Sequence, residues 1–286
     1  MKRSFNALLP MMFLAPLLCL MPGTAHAAMT VQSLSGAVTA TEISSYETFM
    51  AGRTPPTANT YDNNMADGTA GMDCESLGLM YEVTNDPVIL NEMIAFADAF
   101  VSLRNDYTDR RVMWTGNVEP VWLTKPTGTS AGYAGCENNE IAGHIAYCAK
   151  LILKTPSLWN TTVPDGNPNG YGVTYLQRAK TYVAQIDQTE DSYMTPWFID
   201  TTTMRIKDST VVSSAFAAFG QSTTAWNRQM MFLHGWQTMS ECHAILGDNP
   251  DKVAQYDAIV SASVSWFQSE WQSTTGGGQP CYVWQY

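Results

Sequence analysis

Positive charge is scarce in this chain. Against 26 aspartates and glutamates it carries 15 lysines and arginines, for a formal net charge of −11. A surface of that sign does not suit nucleic acid or anionic membranes, whose recognition begins with clustered cations. It also disfavours a polyanionic substrate, although a cleft can differ in sign from the surface around it. Histidine is scarcer still, with four residues, one of them His26 near the amino terminus. The six cysteines form no CxxC and no Cys/His cluster with metal-ligand spacing, so a cysteine-built zinc site is not expected. There is no GxSxG elbow, no phosphate-binding glycine loop and no HExxH. Gly276-Gly277-Gly278 lacks the strand and helix context that would make it a nucleotide loop.

What is present begins with a leader. Lys2 and Arg3, an apolar stretch from Ala7 to Met21 broken by Pro10 and Pro16, and Ala25-His26-Ala27 read as an export signal over residues 1–27. Cys19 follows Leu17 and Leu18, where a lipoprotein would carry small residues. The expectation is a secreted or periplasmic protein with no membrane segment after signal removal. By size residues 28–286 are one large domain or two small ones, and the expectation is a single toroid domain over 28–286. Five cysteines remain in it (Cys74, Cys136, Cys148, Cys242 and Cys281), an odd number in an oxidising compartment, so at least one has no partner within the chain. Cys148 and Cys242 lie in apolar helical stretches and read as buried thiols.

Three helical hairpins share one grammar: GLMYEVTNDPVILNEMIAFADAFVSL at 78–103, IAYCAKLILKTPSLW at 145–159 answered by TYLQRAKTYVAQI at 174–186, and QTMSECHAILGDNPDKVAQYDAIVSASVSWF at 237–267. Asn85-Asp86-Pro87 and Gly247-Asp248-Asn249-Pro250 place a helix stop, an N-cap and an early proline in the order that helix boundaries prefer. A hairpin of this kind cannot bury its apolar face alone, so copies stack. The fold class expected is all-α, an (α/α) toroid of helical hairpins with long loops and small strands. Three clear hairpins and an aromatic, β-prone CYVWQY ending point to an open ring or a chain cut short at its carboxyl end. A short helix is expected near 41–51, and regular helix from about Asp73.

The loops at 105–135, 160–173 and 191–224 are long, and long loops in compact domains carry function or small strands. The first holds Trp114, Asn117, Trp122, Lys125 and Tyr133 just before a helix. Nine tryptophans and thirteen tyrosines suit core packing between large helices, and equally a cleft that stacks sugar rings. At about 100° per residue, Glu137, Glu140, His144 and Cys148 share one stripe of their helix, which lets Glu140 orient the His144 ring; an ordinary surface Glu–His pair has the same spacing. Asn227, His234 and Glu241 recur at seven-residue intervals on the third hairpin, with His243 on the opposite side. Asn227 and Arg228, beside Trp226 at a helix start, suit a carboxylate, and an ordinary N-terminal turn looks the same.

Two reactions fit these residue types. In β-elimination from a uronate the substrate carboxylate is neutralised, a base removes the proton beside it, and an acid protonates the leaving oxygen; Asn227 and Arg228 suit the first task, His144 and Tyr282 the others. Glycoside hydrolysis needs two carboxylates across the bond. Glu137 and Glu140 share a helix face too closely for that, so a partner such as Asp109 or Asp200 would be required. A non-catalytic glycan binder on the same fold is the third reading.

LGLMYEVTNDPVILNEMIAFADAFVSLRND, MWTGNVEPVW, AGHIAYCAKLIL, AWNRQMMFLHGWQTM with its LGDNP turn, and the closing YVWQY together resemble secreted α/α-toroid proteins related to alginate and glucuronan lyases, from about residue 53 to the end. The resemblance implies a ring of six or seven hairpins acting on acidic polysaccharide by β-elimination, with Asn, His, Tyr and Arg as the working residues and no obligatory organic cofactor. It puts His144 on the inner wall, Asn227 at the cleft rim and Tyr282 nearby as catalytic groups. Trp114, Trp122, Asn138, Glu140, Trp226, Arg228 and His234 are the substrate-binding candidates. No metal is assigned, and the protein is expected to be a monomer whose partner is its polysaccharide. Such proteins continue past the YxWxY stretch into an acidic, His-containing segment and a last helix, which this sequence does not include.

Overall fold

Turn chemistry sets the helix boundaries. In the computed structural model, which describes residues 38–58, 64–123, 134–207, 226–276 and 279–283, α2 (Thr69–Thr84) stops at Asn85, whose left-handed backbone (φ 54°) lets its N–H reach the Tyr81 carbonyl at 2.7 Å. Asp86 then caps α3 (Pro87–Ser102) by accepting from the Val88 N–H at 2.8 Å, and Pro87 occupies the first turn, where its missing N–H costs nothing. The same device recurs downstream. Gly247, at φ 63°, ends α7 (Trp226–Leu246), and Asn249 caps α8 (Pro250–Ser269) through the Lys252 N–H at 3.2 Å.

The middle hairpin is looser. α4 (Asn138–Leu153) is followed by a 3₁₀ turn at Pro156–Leu158 and a loop, and α5 (Tyr175–Thr189) opens with a capping box in which Thr174 and Gln177 satisfy each other's backbone N–H groups. α5 runs on through a π-helical turn at Glu190–Met194 into the short α6 (Thr195–Phe198). The expected early helix is α1 (Ala40–Met50), with a second capping box at Thr39 and Glu42. Two small antiparallel pairs complete the description: β1 (Ile199–Asp200) with β2 (Arg205–Ile206), and β3 (Gln272–Gly276) with β4 (Gln279–Val283), the latter in register Ser273 to Tyr282. Helix predominates over strand among the described residues.

Thr39–Tyr286 make up one compact unit. Its core follows from burial patterns. α3 buries Ile89, Leu90, Met93, Ile94, Ala97, Phe100 and Val101, the i, i+3, i+4 rhythm of a one-sided helix. α4 is different: all its residues from Ile141 to Ala149 are buried. A helix apolar all round is packed on all sides, and α4 touches α2, α3, α5 and α7. The contacts have an order: α2 pairs with α3, α4 with α5 and α7 with α8, while α4, the first helix of its hairpin, also lies against α2 and α7, the first helices of the other two. Among the described residues no helix is long and apolar enough to cross a membrane.

Four cysteines, Cys74, Cys136, Cys148 and Cys242, are buried free thiols, and burial lifts all four well above the usual thiol range. The leader at 1–27, Lys125 and Tyr133 lie outside the described residues, as do the side chains of Trp226, Asn227, Arg228, Cys281 and Tyr282.

Candidate functional site

Three glycines bring the first helices of the hairpins together. A Cβ at Gly78 on α2 would stand 2.3 Å from Cε1 of Tyr147 on α4; one at Gly143 on α4 would stand 2.5 Å from Nδ1 of His234 on α7; one at Gly235 would stand 2.4 Å from Oδ1 of Asn139. None of these contacts survives a methyl group, so α2, α4 and α7 approach as closely as they do because these positions carry no side chain. Asn139 secures the α4–α7 crossing by donating from Nδ2 to the Phe232 carbonyl at 2.6 Å.

The close approach gathers Glu75 from α2, His144 from α4 and His234 from α7. Each offers one ligand atom, and these atoms lie within 4.8 Å of one another. The two imidazoles meet edge to face with centroids 5.6 Å apart. His144 is buried, with Nε2 3.2 Å from the Ala66 carbonyl oxygen and Nδ1 3.1 Å from Oε2 of Glu75. A carbonyl only accepts, so Nε2 carries the proton. Nδ1 therefore faces the carboxylate with a lone pair unless a cation, either a proton or a metal ion, stands between them. No hydrogen bond to the His234 ring occurs among the described residues; its contacts are the edges of His144 and Tyr147. Burial, reinforced by the positive charge of His144, holds His234 well below the ordinary imidazole value, so it is neutral.

Glu140 stands one helical turn before His144. Burial, opposed by His144 and reinforced by the carboxylates of Asp67, Glu75 and Glu137, lifts its carboxyl to about 7. The carboxyl that orients the His144 ring is Glu75, which the sequence reading did not single out. Glu75 is 69 positions away in sequence, so no helical spacing joins it to His144. One signal was available: Glu75, Gly78 and Glu82 share a stripe of α2, and a glycine between two glutamates on one stripe marks a polar face under close contact. Glu75 is held below the usual carboxylate range despite its burial, by the His144 hydrogen bond first and then by the electrostatic pull of its two coupled histidine neighbours and of Lys150.

The other candidates scatter. Trp122 is a core residue, 2% exposed, with its indole N–H donating to the Phe100 carbonyl at 2.7 Å. Asn138 is buried beneath it, accepting from the Trp122 backbone N–H at 2.7 Å and donating to the Gly135 carbonyl at 3.2 Å. These two hold residues 121–123 against α4 and are enclosed by the core. Trp114 packs edge-on against Trp197 and Tyr193 and donates to the Tyr193 hydroxyl at 2.9 Å. His234 and Glu241 both face α4, Glu241 pairing with Lys150 at 3.1 Å, as their seven-residue spacing requires.

His243 faces the other way, toward α5 and α8. Its Nε2 lies 3.2 Å from Oδ1 of Asp187 and its Nδ1 2.8 Å from Oδ1 of Asp248. Asp187 also accepts from the Tyr256 hydroxyl at 3.1 Å and lies 3.4 Å from the Lys252 ammonium, which in turn pairs with Asp191.

Comparison of the chain with family models, with curated proteins and with solved structures found no match.

Proposed function

We propose that this is a secreted carbohydrate-active protein, a polysaccharide lyase that cleaves a uronate-containing glycan by β-elimination on an (α/α) toroid of helical hairpins. One observation carries the reading: α2, α4 and α7, the first helices of three successive hairpins, lie side by side, and each sends one polar group to a shared spot, Glu75, His144 and His234. First helices in sequence order, with second helices behind them, are how a ring of hairpins builds its inner wall.

The reaction needs a base to take the proton next to the uronate carboxylate, leaving its electron pair to form the ring double bond as the glycosidic C–O bond breaks, and an acid to protonate the departing oxygen. Glu140, at about 7, can give or take a proton at neutral pH. His234 is neutral with no hydrogen bond on its ring among the described residues, which suits a base. His144 has both ring nitrogens engaged and serves to position the cluster. Asn227 and Arg228, on the first turn of α7, remain the choice for neutralising the substrate carboxylate, and Tyr282 on β4 a further proton donor.

Incubation with alginate, glucuronan and related polymers should yield products with the ultraviolet absorbance of an unsaturated uronate. New reducing ends without that absorbance would make the protein a glycoside hydrolase. Saturable glycan binding with no product at all would make it a binder.

A further inference from the structure

We propose that Glu75, His144 and His234 bind one divalent transition-metal ion of the zinc class. The inference does not depend on the lyase reading. Three groups of ligand type, from three different helices, converge to within 4.8 Å of one another. Two imidazoles and a carboxylate are a donor set for zinc and its first-row neighbours, whereas magnesium and calcium prefer all-oxygen shells.

The tautomer of His144 supplies the second argument. Its Nε2 proton is committed to the Ala66 carbonyl at 3.2 Å, which leaves the Nδ1 lone pair pointing at Oε2 of Glu75 at 3.1 Å. Either a proton or a metal ion answers this arrangement, and a metal ion would use the same lone pair and the same carboxylate oxygen. An N–H donated to a backbone carbonyl on the far side of the ring is also how metal-bound histidines are held in orientation. His234 completes the set from α7, its ring 5.6 Å from that of His144 between centroids and outside any hydrogen bond among the described residues.

The surroundings favour a cation. Glu140 interacts electrostatically with both His144 and Glu75, while Lys150, the cation that acts on Glu75 and His234, is paired with Glu241 at 3.1 Å. Bonds of about 2.1 Å place tetrahedral ligand atoms roughly 3.4 Å apart, so the widest possible spread of 4.8 Å closes through the torsions of Glu75, whose side chain is 34% exposed. Three protein ligands leave one position of a four-coordinate ion for water or a substrate oxygen, the count of a reactive site and not of a purely structural one. With the ion in place the two imidazoles are ligands, and proton exchange passes to Glu140.

The test is a cobalt titration of the chelator-stripped whole chain, followed by visible absorption. We expect one Co²⁺ per chain, with the intense visible bands of a four-coordinate site, no thiolate-to-cobalt charge transfer, and displacement by Zn²⁺ but not by Mg²⁺ or Ca²⁺. Glu75→Gln and His234→Asn, checked for unchanged helical circular dichroism, should weaken binding by more than the roughly 10–100-fold that loss of an outer partner costs. His243→Gln, at the other histidine cluster, should leave it unchanged. Absence of saturable binding, thiolate charge-transfer bands, or loss of binding in His243→Gln with retention in His234→Asn would each overturn the proposal. Ultraviolet product assays on the stripped and reloaded chain keep the two ideas apart: binding without product sinks only the lyase, and product without binding sinks only the metal.

Discussion

Helix α7 carries two histidines on opposite faces, and their surroundings differ in one respect that separates structure from chemistry. Around His243 the ring itself is fully engaged: both its nitrogens meet carboxylates, and Asp187 gathers His243, Tyr256 and the neighbouring Lys252. Around His234 the account stays open, with an imidazole outside any hydrogen bond among the described residues, a second imidazole 3.1 Å from Glu75, and a carboxyl at about 7. Closed networks of this kind hold a fold in register, whereas groups left short of partners at a convergent spot are available to a ligand. The same residue types therefore do different work, and partner count tells them apart.

The sharpest way to break the contrast is to remove the hub of the closed network. Asp187→Ala should lower the unfolding free energy by roughly 2 kcal/mol, the scale of hydrogen bonds lost to a half-buried charged group, as read by urea denaturation. An effect below about 0.5 kcal/mol, the scale of an ordinary surface substitution, would mean that the His243 network contributes little. The opposite behaviour is expected of His234→Ala: stability within about 1 kcal/mol of the parent, and uronate-polymer turnover down roughly 100-fold or more, as lost proton transfer predicts. A variant that unfolds but keeps its activity per folded molecule would reverse the assignment.

Intermediate effects are expected at the helix crossing. Gly235→Ala drives a methyl into Asn139, with 2.4 Å to Oδ1 and 2.5 Å to its carbonyl oxygen, and should cost about 1–3 kcal/mol through overpacking while shifting His234 relative to His144. Turnover should fall by more than the loss of folded protein accounts for. If stability and turnover fall together, the glycine serves packing alone.

The smallest effect is a pH profile. For His243, burial alone would lower the pKa, but the hydrogen bonds to Asp187 and Asp248 outweigh it and the net shift is upward. That contribution to stability is complete below the ordinary imidazole value of 6.5 and is lost as pH rises through the folded value. Burial would raise Asp187, but the His243 hydrogen bond and the charges of His243 and Lys252 pull it down. Its contribution is complete above the ordinary value of 3.8 and is lost as pH falls through the folded value. The melting temperature should therefore crest between these two values, and Asp187→Asn should flatten both shoulders. A crest that persists unchanged in the variant would place the pH dependence elsewhere.

Local chemistry was legible wherever it acts between neighbours in sequence. Asn85-Asp86-Pro87 and Gly247 to Pro250 name their own helix ends because a left-handed stop, a capping oxygen and an N-terminal proline act within one turn. Seven-residue spacing correctly separated His234 and Glu241 from His243, since helical phase is fixed by geometry alone. Trp122 was misplaced in the cleft because an indole that stacks on a ligand and one that fills a core look identical in sequence; here the Phe100 carbonyl satisfies its N–H inside the core. Glu140 stood out by spacing, yet Glu75 took the position beside His144, because the α2–α4 approach through Gly78 is a long-range event that no local period encodes.

The sequence by itself determined the hairpins, their caps and the faces their helices would bury, since each depends on residues within a turn or two of one another. Which faces then met, and so which imidazole found a carboxylate and which stayed unpaired, was decided only when α2, α4 and α7 closed on their glycines, because contact between distant segments is set by the sum of packing over the whole core and by no single stretch of it.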